Sequence, residues 1–223
     1  TKWAATIPFT KRIPDYLAQA FRVALTGRYG PAVLEIPSDI LFGRVEESEV
    51  PLPTGYRTEG RTQGDFGLIR LAASLLANAE RPAVMGGTGV YWADAGAGLQ
   101  ELAEKVHAPI YLNDMGRGTI SQEHPQFMSR TRRTAFGEAD VILFAGTMID
   151  FRLRYGRSIN PAAKVISIDI DPNELGRNRG VDVGIEGDPK HALQQITAEL
   201  GARSGRHDAW IGKLRDGETK VTE

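Results

Sequence analysis

Short continuous apolar runs alternate along this chain with stretches in which apolar residues recur every three or four positions. The runs lie at 32–36, 83–85, 109–112, 141–145, 165–169 and 183–185. Apolar runs of three to five residues that do not alternate in polarity read here as strands buried on both faces, the state of strands in a parallel sheet. The helical spacing predicts helices over 14–26, 66–77, 93–106, 126–136, 189–200 and 207–214. In the first of these, Leu17, Phe21, Ala24 and Leu25 share one face, with Gly27 and Gly30 beyond its end. From Asp65 onward strands and helices alternate regularly, which is the pattern of an α/β fold with a doubly wound, mostly parallel sheet.

Residues 42–64 break that pattern with Pro and Gly clusters, alternating charges and no period. This stretch reads as a linker with Pro51-Leu52-Pro53 as its stiff part. The expected organisation is a leading segment at 1–42, a linker at 43–64, a main domain at 65–203 and a second linker at 204–223. A length of 223 residues suits one large domain, or a domain with an appendage. The formal net charge of −1 gives no footprint for nucleic acid or acidic membranes. The absence of cysteine excludes a disulfide scaffold, a Cys zinc site and thiol catalysis. It is compatible with a reducing compartment, and the expected location is the cytoplasm. No apolar run approaches the ~18 residues of a membrane span, and residues 1–10 lack the core of a signal peptide. Gly is in excess, with 25 residues, ~11% of the chain against a usual ~7%. Glycine-rich turns between parallel strands and helices would account for it.

Gly87-x-Gly89-x-x-Trp92 follows the strand at 83–85. Glycines at such a turn let the backbone approach a pyrophosphate, but Trp92 replaces the third glycine of the dinucleotide fingerprint. A standard dinucleotide site, a different nucleotide site and a plain tight turn all remain open. Asp114 stands past the next strand, where a ribose-binding acid belongs. Asp169-Ile170-Asp171-Pro172 ends a buried strand at the edge where open α/β sheets bind ligands, although Asp171 reads better as the cap of the turn at Pro172. Asp169-x-Asp171-x-Asn173 imitates the start of a calcium loop, yet Glu174 and Gly180 occupy the positions that need Gly and Glu. Arg130, Arg132 and Arg133 are either a solvated face or a phosphate-pairing set, and Arg152, Arg154 and Arg157 could act from a loop. His107, His124, His191 and His207 share no metal spacing. There is no nucleophile elbow and no phosphate loop of the Walker type. No catalytic acid, base or nucleophile stands out, so the residues describe a binding sheet.

Gly27-Arg28-Tyr29-Gly30-Pro31 and Glu35-Ile36-Pro37-Ser38-Asp39 resemble the end of the pyrimidine-binding domain of thiamine-diphosphate-dependent enzymes, in the group of acetolactate synthase, benzaldehyde lyase, oxalyl-CoA decarboxylase and 2-hydroxyacyl-CoA lyase. Ala79-Glu80-Arg81-Pro82, Met115-Gly116-Arg117-Gly118, His124-Pro125, Ala139-Asp140-Val141-Ile142, Ile168 to Asn178 and Gly187-Asp188-Pro189 continue the match in order. The resemblance implies a Rossmann-like central domain, preceded by the C-terminal remnant of the pyrimidine domain. The parent would make or break a carbon–carbon bond next to a carbonyl with thiamine diphosphate and magnesium, neither held by this chain. The activating glutamate and the magnesium-binding motif of the family lie in domains absent here, so the chain is expected to be inactive alone. Its expected partners are its own N- and C-terminal domains within a homodimer or homotetramer. Carried over by position, the resemblance implies nucleotide contacts from Gly87, Thr88, Gly89, Arg132, Gly146, Thr147, Asp169, Ile170 and Asp188. Gly146-Thr147-Met148 departs from the family's Gly-Ala-Arg and loses an arginine that pairs with pyrophosphate, which counts against FAD and, to a lesser degree, against ADP. A freestanding regulatory nucleotide-binding module is the alternative.

Overall fold

Parallel strand pairing organises both parts of the chain. The computed structural model describes residues 1–50, 52–201 and 207–220 and divides into two units, Thr1–Gly60 and Arg61–Glu223. The division falls inside the stretch expected as a linker, of which Pro51 lies outside the described residues.

In the first unit, β1 (Trp3–Thr6) pairs in parallel with β2 (Ala32–Glu35), and α1 (Ile13–Ala24) connects them. Pro14 sits in the first turn of α1, where its missing N–H removes no helical bond. The helix matches the sequence spacing, but its apolar face is not buried. Leu17 and Phe21 are 40% and 55% exposed, because two strands offer too narrow a surface to cover it. The short helix α2 (Ser38–Leu41) follows β2. Tyr56 joins this unit through its ring against Phe21 and its carbonyl, which accepts from Arg22.

In the second unit, α3 (Phe66–Ala77) leads to β3 (Pro82–Gly86), then α4 (Thr88–Trp92), α5 (Gly96–Val106) and β4 (Ile110–Leu112). There follow α6 (Arg132–Glu138), β5 (Val141–Ala145), β6 (Lys164–Asp169), β7 (Val183–Glu186) and α7 (Pro189–Glu199). The five strands form one parallel sheet in the order β4-β3-β5-β6-β7. Every residue of β3 and β5 is buried, as their unbroken apolar runs require. Asp65 starts α3 by accepting from the amides of Gly67 and Leu68 at 2.8 and 3.0 Å, a side-chain N-cap. On one face, Leu76 of α3, Leu99 of α5 and Ile196 of α7 pack with Val84, Leu143 and Ile166. No helix among the described residues is long and apolar enough to cross a membrane.

The structure departs from the sequence expectations at two of the expected helices, and it adds β1, α2 and α4, which the pattern did not indicate. The helix expected at 93–106 begins only at Gly96, after α4 and a break at Asp94, whose φ is +52°. The helix expected at 126–136 begins only at Arg132, so Arg130 lies outside it. Residues 126–128 run beside the edge strand β4 instead: Ile110 donates to Gln126 and Met128 donates to Ile110, at 2.8 and 2.9 Å. Exposed edge groups of a sheet need partners, and this need overrides the helical spacing. The helix expected at 207–214 is present and runs further, as α8 (Asp208–Lys220), within the stretch also expected as a linker at 204–223. Residues 202–206 and 221–223 lie outside the described residues, and so does the expected boundary at 203/204.

The helix α8 covers the second face of the sheet. Trp210, Ile211 and Leu214 pack with Met85, Phe136, Ile142 and Phe144, and Trp210 Nε1 donates to the Pro82 carbonyl at 3.0 Å. Glu218 anchors the other end by accepting from the amides of Ser129, Arg130 and Thr131 and the Thr131 hydroxyl, at 2.7–3.0 Å. Burial opposes ionisation of Glu218, but these hydrogen bonds outweigh it and hold the carboxyl below the usual carboxylate range. A depressed carboxyl stabilises the fold above its unfolded pKa, and this contribution is lost as pH falls through the folded value. Trp210→Ala is expected to cost about 3–5 kcal/mol in denaturant unfolding. Glu218→Gln is expected to cost about 1–2 kcal/mol near neutral pH. Its difference from the wild type shrinks as pH drops below the ordinary glutamate range, and a constant difference at all pH values contradicts the anchoring role.

Candidate functional site

The chain leaves β3 for β4 on one side and returns to β5 on the other, so the strand order reverses between β3 and β5. Open α/β sheets bind ligands outside the carboxyl ends of their strands at such a reversal. Glycines crowd this point. Gly87 donates to the Ala145 carbonyl at 3.0 Å and Gly89 to the Gly146 carbonyl at 2.8 Å. A Cβ on Gly89 would lie 2.6 Å from the Gly146 Cα, and one on Gly146, whose φ is +54°, 2.5 Å from the Gly89 Cα. The turns after β3 and β5 therefore pack backbone against backbone. A Cβ on Gly87 would stand 2.5 Å from the Cβ of Thr147, so the chain's own loop fills the approach to this glycine.

Asn113, just past β4, is a participant that sequence reasoning missed. Its amide donates to the Gly86 carbonyl at 3.0 Å, and its Oδ1 accepts from the Thr147 hydroxyl at 2.8 Å. The side chain is fully buried, and Nδ2 has no hydrogen-bond partner among the described residues. The available signal was a carboxamide directly following an apolar strand at the carboxyl edge.

The loop after β5 carries the cationic chemistry. Arg152 Nη1 pairs with Asp114 at 3.0 Å and with Asp150 at 2.6 Å, and its guanidinium lies 4.9 Å from the Phe151 ring. Arg132 donates to the Arg152 carbonyl at 3.3 Å. Arg130 and Arg133 are exposed, and Arg132 reaches this loop. Arg154 and Tyr155 hold successive left-handed conformations, φ +51° and +54°, each costing about 1–2 kcal/mol for a residue with a side chain. The amide of Tyr155 donates to the Asp150 carbonyl at 2.8 Å, which supports this turn.

Asp169 ends β6 and Ile170 follows it, and Asp169 Oδ1 accepts from the Asp171 amide at 2.9 Å. Asp171 accepts from the Asn173 amide at 3.0 Å and caps the turn at Pro172, as the sequence suggested. Asp188, past β7, caps α7 through Lys190 and pairs with Arg61, both at 2.9 Å. His107 and His124 make pairs with Asp208 and Glu104, at 3.0 and 2.9 Å. Thr88 is half-buried at the start of α4. The arginines and the buried Asn113 donor suit an anion in kind, while Thr147 covers the backbone approach and two carboxylates already neutralise Arg152. Among the described residues, no group of three or more His, Asp or Glu side chains could hold a metal ion, so no magnesium chemistry is assigned to these residues.

The family profile described as thiamine pyrophosphate enzyme, central domain, matches residues 69–196. The chain is 34% identical to a probable acetolactate synthase large subunit of Methanocaldococcus jannaschii, over 96% of this chain and 38% of that protein. It is 33% identical to an acetolactate synthase large subunit of Mycobacterium tuberculosis, over 100% of this chain and 40% of that protein. A second such subunit from the same species is 36% identical over 87% of this chain and 34% of its own length. The chain thus spans well under half of these relatives.

The glycine contacts generate a prediction. Gly89→Ala or Gly146→Ala is expected to lower stability by at least about 2 kcal/mol, the scale of overpacking and left-handed strain. Gly137→Ala, inside α6 with nothing within 4 Å of its Cβ, is expected to stabilise by about 0.5–1 kcal/mol. Thermal unfolding of the three variants checks this contrast, and equal effects contradict it.

Proposed function

The chain belongs to the thiamine pyrophosphate enzyme family as its central domain, and from that premise we propose that it is the middle part of a carboligase of the acetolactate synthase kind. The observation that carries this reading is the family match, which runs across the turns that meet at the carboxyl edge of the sheet. A 2-hydroxyacyl-CoA lyase kind of parent has less support, because the relatives reported are acetolactate synthase subunits. None of the three is a freestanding regulatory module. In the parent, thiamine diphosphate with magnesium supplies a stabilised carbanion for making or breaking a carbon–carbon bond next to a carbonyl. That cofactor is held by the parent's N- and C-terminal domains, which are the partners of this chain in a homodimer or homotetramer. A cytoplasmic location belongs to the same reading, and the lack of cysteine is compatible with it.

The role of this chain's own residues is to bind a nucleotide at the strand reversal. Gly87, Thr88, Gly89, Gly146 and Thr147 line the phosphate side, with Arg132 as a cation. Asp169 and Ile170 take the adenosine end, and Asp188 stands on the adenine side. ADP is favoured over FAD because Met148 stands where the family carries a pyrophosphate-pairing arginine.

Two measurements test this reading. Calorimetry with the 223-residue chain is expected to show ADP binding about tenfold tighter than FAD, a difference of about 1.4 kcal/mol. Tight FAD binding without a response to ADP overturns the assignment. With thiamine diphosphate, magnesium and pyruvate, the chain alone is expected to give no acetolactate, and turnover by a clean preparation contradicts the placement of the chemistry in the other domains.

A further inference from the structure

Two bridges join the loop after β4 to the loop after β5, and β3 lies between these strands. One is the buried hydrogen bond from the Thr147 hydroxyl to Asn113 Oδ1, at 2.8 Å. The other is Arg152 clamped between Asp114 and Asp150, at 3.0 and 2.6 Å. Any contact between the two loops must cross the glycine turn of β3, and the 2.5 Å approach of the Thr147 Cβ to the Cβ position of Gly87 shows that this one does. The clamp is half-buried: the side chains of Arg152, Asp114 and Asp150 are 34%, 22% and 20% exposed. Its carboxylates offer Arg152 the kind of oxygen pairs that a phosphate offers, since guanidinium groups bind both through the same fork.

We propose that the loop after β5 is a strap closed over the phosphate end of the cleft, and that a nucleoside diphosphate binds by taking Arg152 from Asp114 and Asp150. This rests on the nucleotide reading above and adds Arg152 and Asn113 to the ligand's partners. The two carboxylates stand in for the ligand's charge while the strap is closed. The buried Asn113 Nδ2 is a donor for the same anion, and a buried donor without an acceptor is costly. The left-handed Arg154 and Tyr155 hold the strap in a strained form, and strain of this kind gathers at segments that move. The ligand therefore competes with acids of the protein itself, and its β-phosphate is the group that can displace them.

Calorimetry of the full chain with ADP and AMP tests the strap. Asp114→Asn suits a site whose φ is +47°, since Asn tolerates the left-handed region. Asp150→Asn keeps an oxygen to accept from the Arg152 amide, now at 2.9 Å. Each variant is expected to bind ADP about five- to tenfold more tightly than the wild type, the coupling scale of a partly buried charge pair, with AMP changed by less than about twofold. Adding Arg152→Ala to either variant is expected to abolish the gain. Unfolding curves accompany each variant, and if one does not fold the other carries the test. Wild-type ADP binding that neither variant tightens, or equal gains for ADP and AMP, overturns the strap and leaves the nucleotide reading standing. No ADP binding by any of the proteins overturns both.

Discussion

The second unit depends on the close approach of the turns that follow its two central strands. Gly89 and Gly146 meet with no room for a Cβ on either, which lets the ends of β3 and β5 stay paired through the Gly87 and Gly89 hydrogen bonds. Strand order, core and edge chemistry all follow from that pairing. Side chains at these positions would wedge apart the centre of a sheet whose β3 and β5 are buried throughout. Close-packed interiors cannot absorb such a displacement locally.

The same contact determines what the cleft can present. Because the glycines face each other, they do not by themselves form an open phosphate cradle, and the groups able to recognise an anion come from the neighbouring loops. Asn113, Arg132 and Arg152 are contributed by three different segments and meet only once β4 and β5 flank β3. Their chemistry is then tempered by the protein's own acids. Family membership explains why a parallel sheet of this kind is present at all, whereas the balance of Arg152 against Asp114 and Asp150 is a property of this loop.

The tail illustrates how local pattern and tertiary need can diverge. Its helical spacing was visible, and only the family resemblance made it read as a connector. In the structure the second face of the sheet needs an apolar cover, and Trp210, Ile211 and Leu214 supply part of it. The reverse holds at 126–131, where residues with helical spacing are drawn out beside β4 because edge backbone groups require partners. In the first unit, α1 follows its sequence closely, yet Leu17 and Phe21 remain exposed. Periodicity specifies which residues share a face and is silent about what that face meets.

Six of the seven described strands, most of the helices, the α/β class and the family were legible in the sequence, whereas β1 was not. Each rests on local information: unbroken apolar runs, helical spacing, the cap at Asp171, and motifs in fixed order. Only the tertiary structure decided that Gly87, Gly89 and Gly146 serve turn-to-turn packing, that Asn113 is buried with an unanswered donor, and that Arg152 is held by two carboxylates. Apart from the Arg152–Asp150 pair, these are relations between residues more than 30 positions apart. They arise from which strands become neighbours, and a one-dimensional pattern carries no distance between loops that only the sheet brings together.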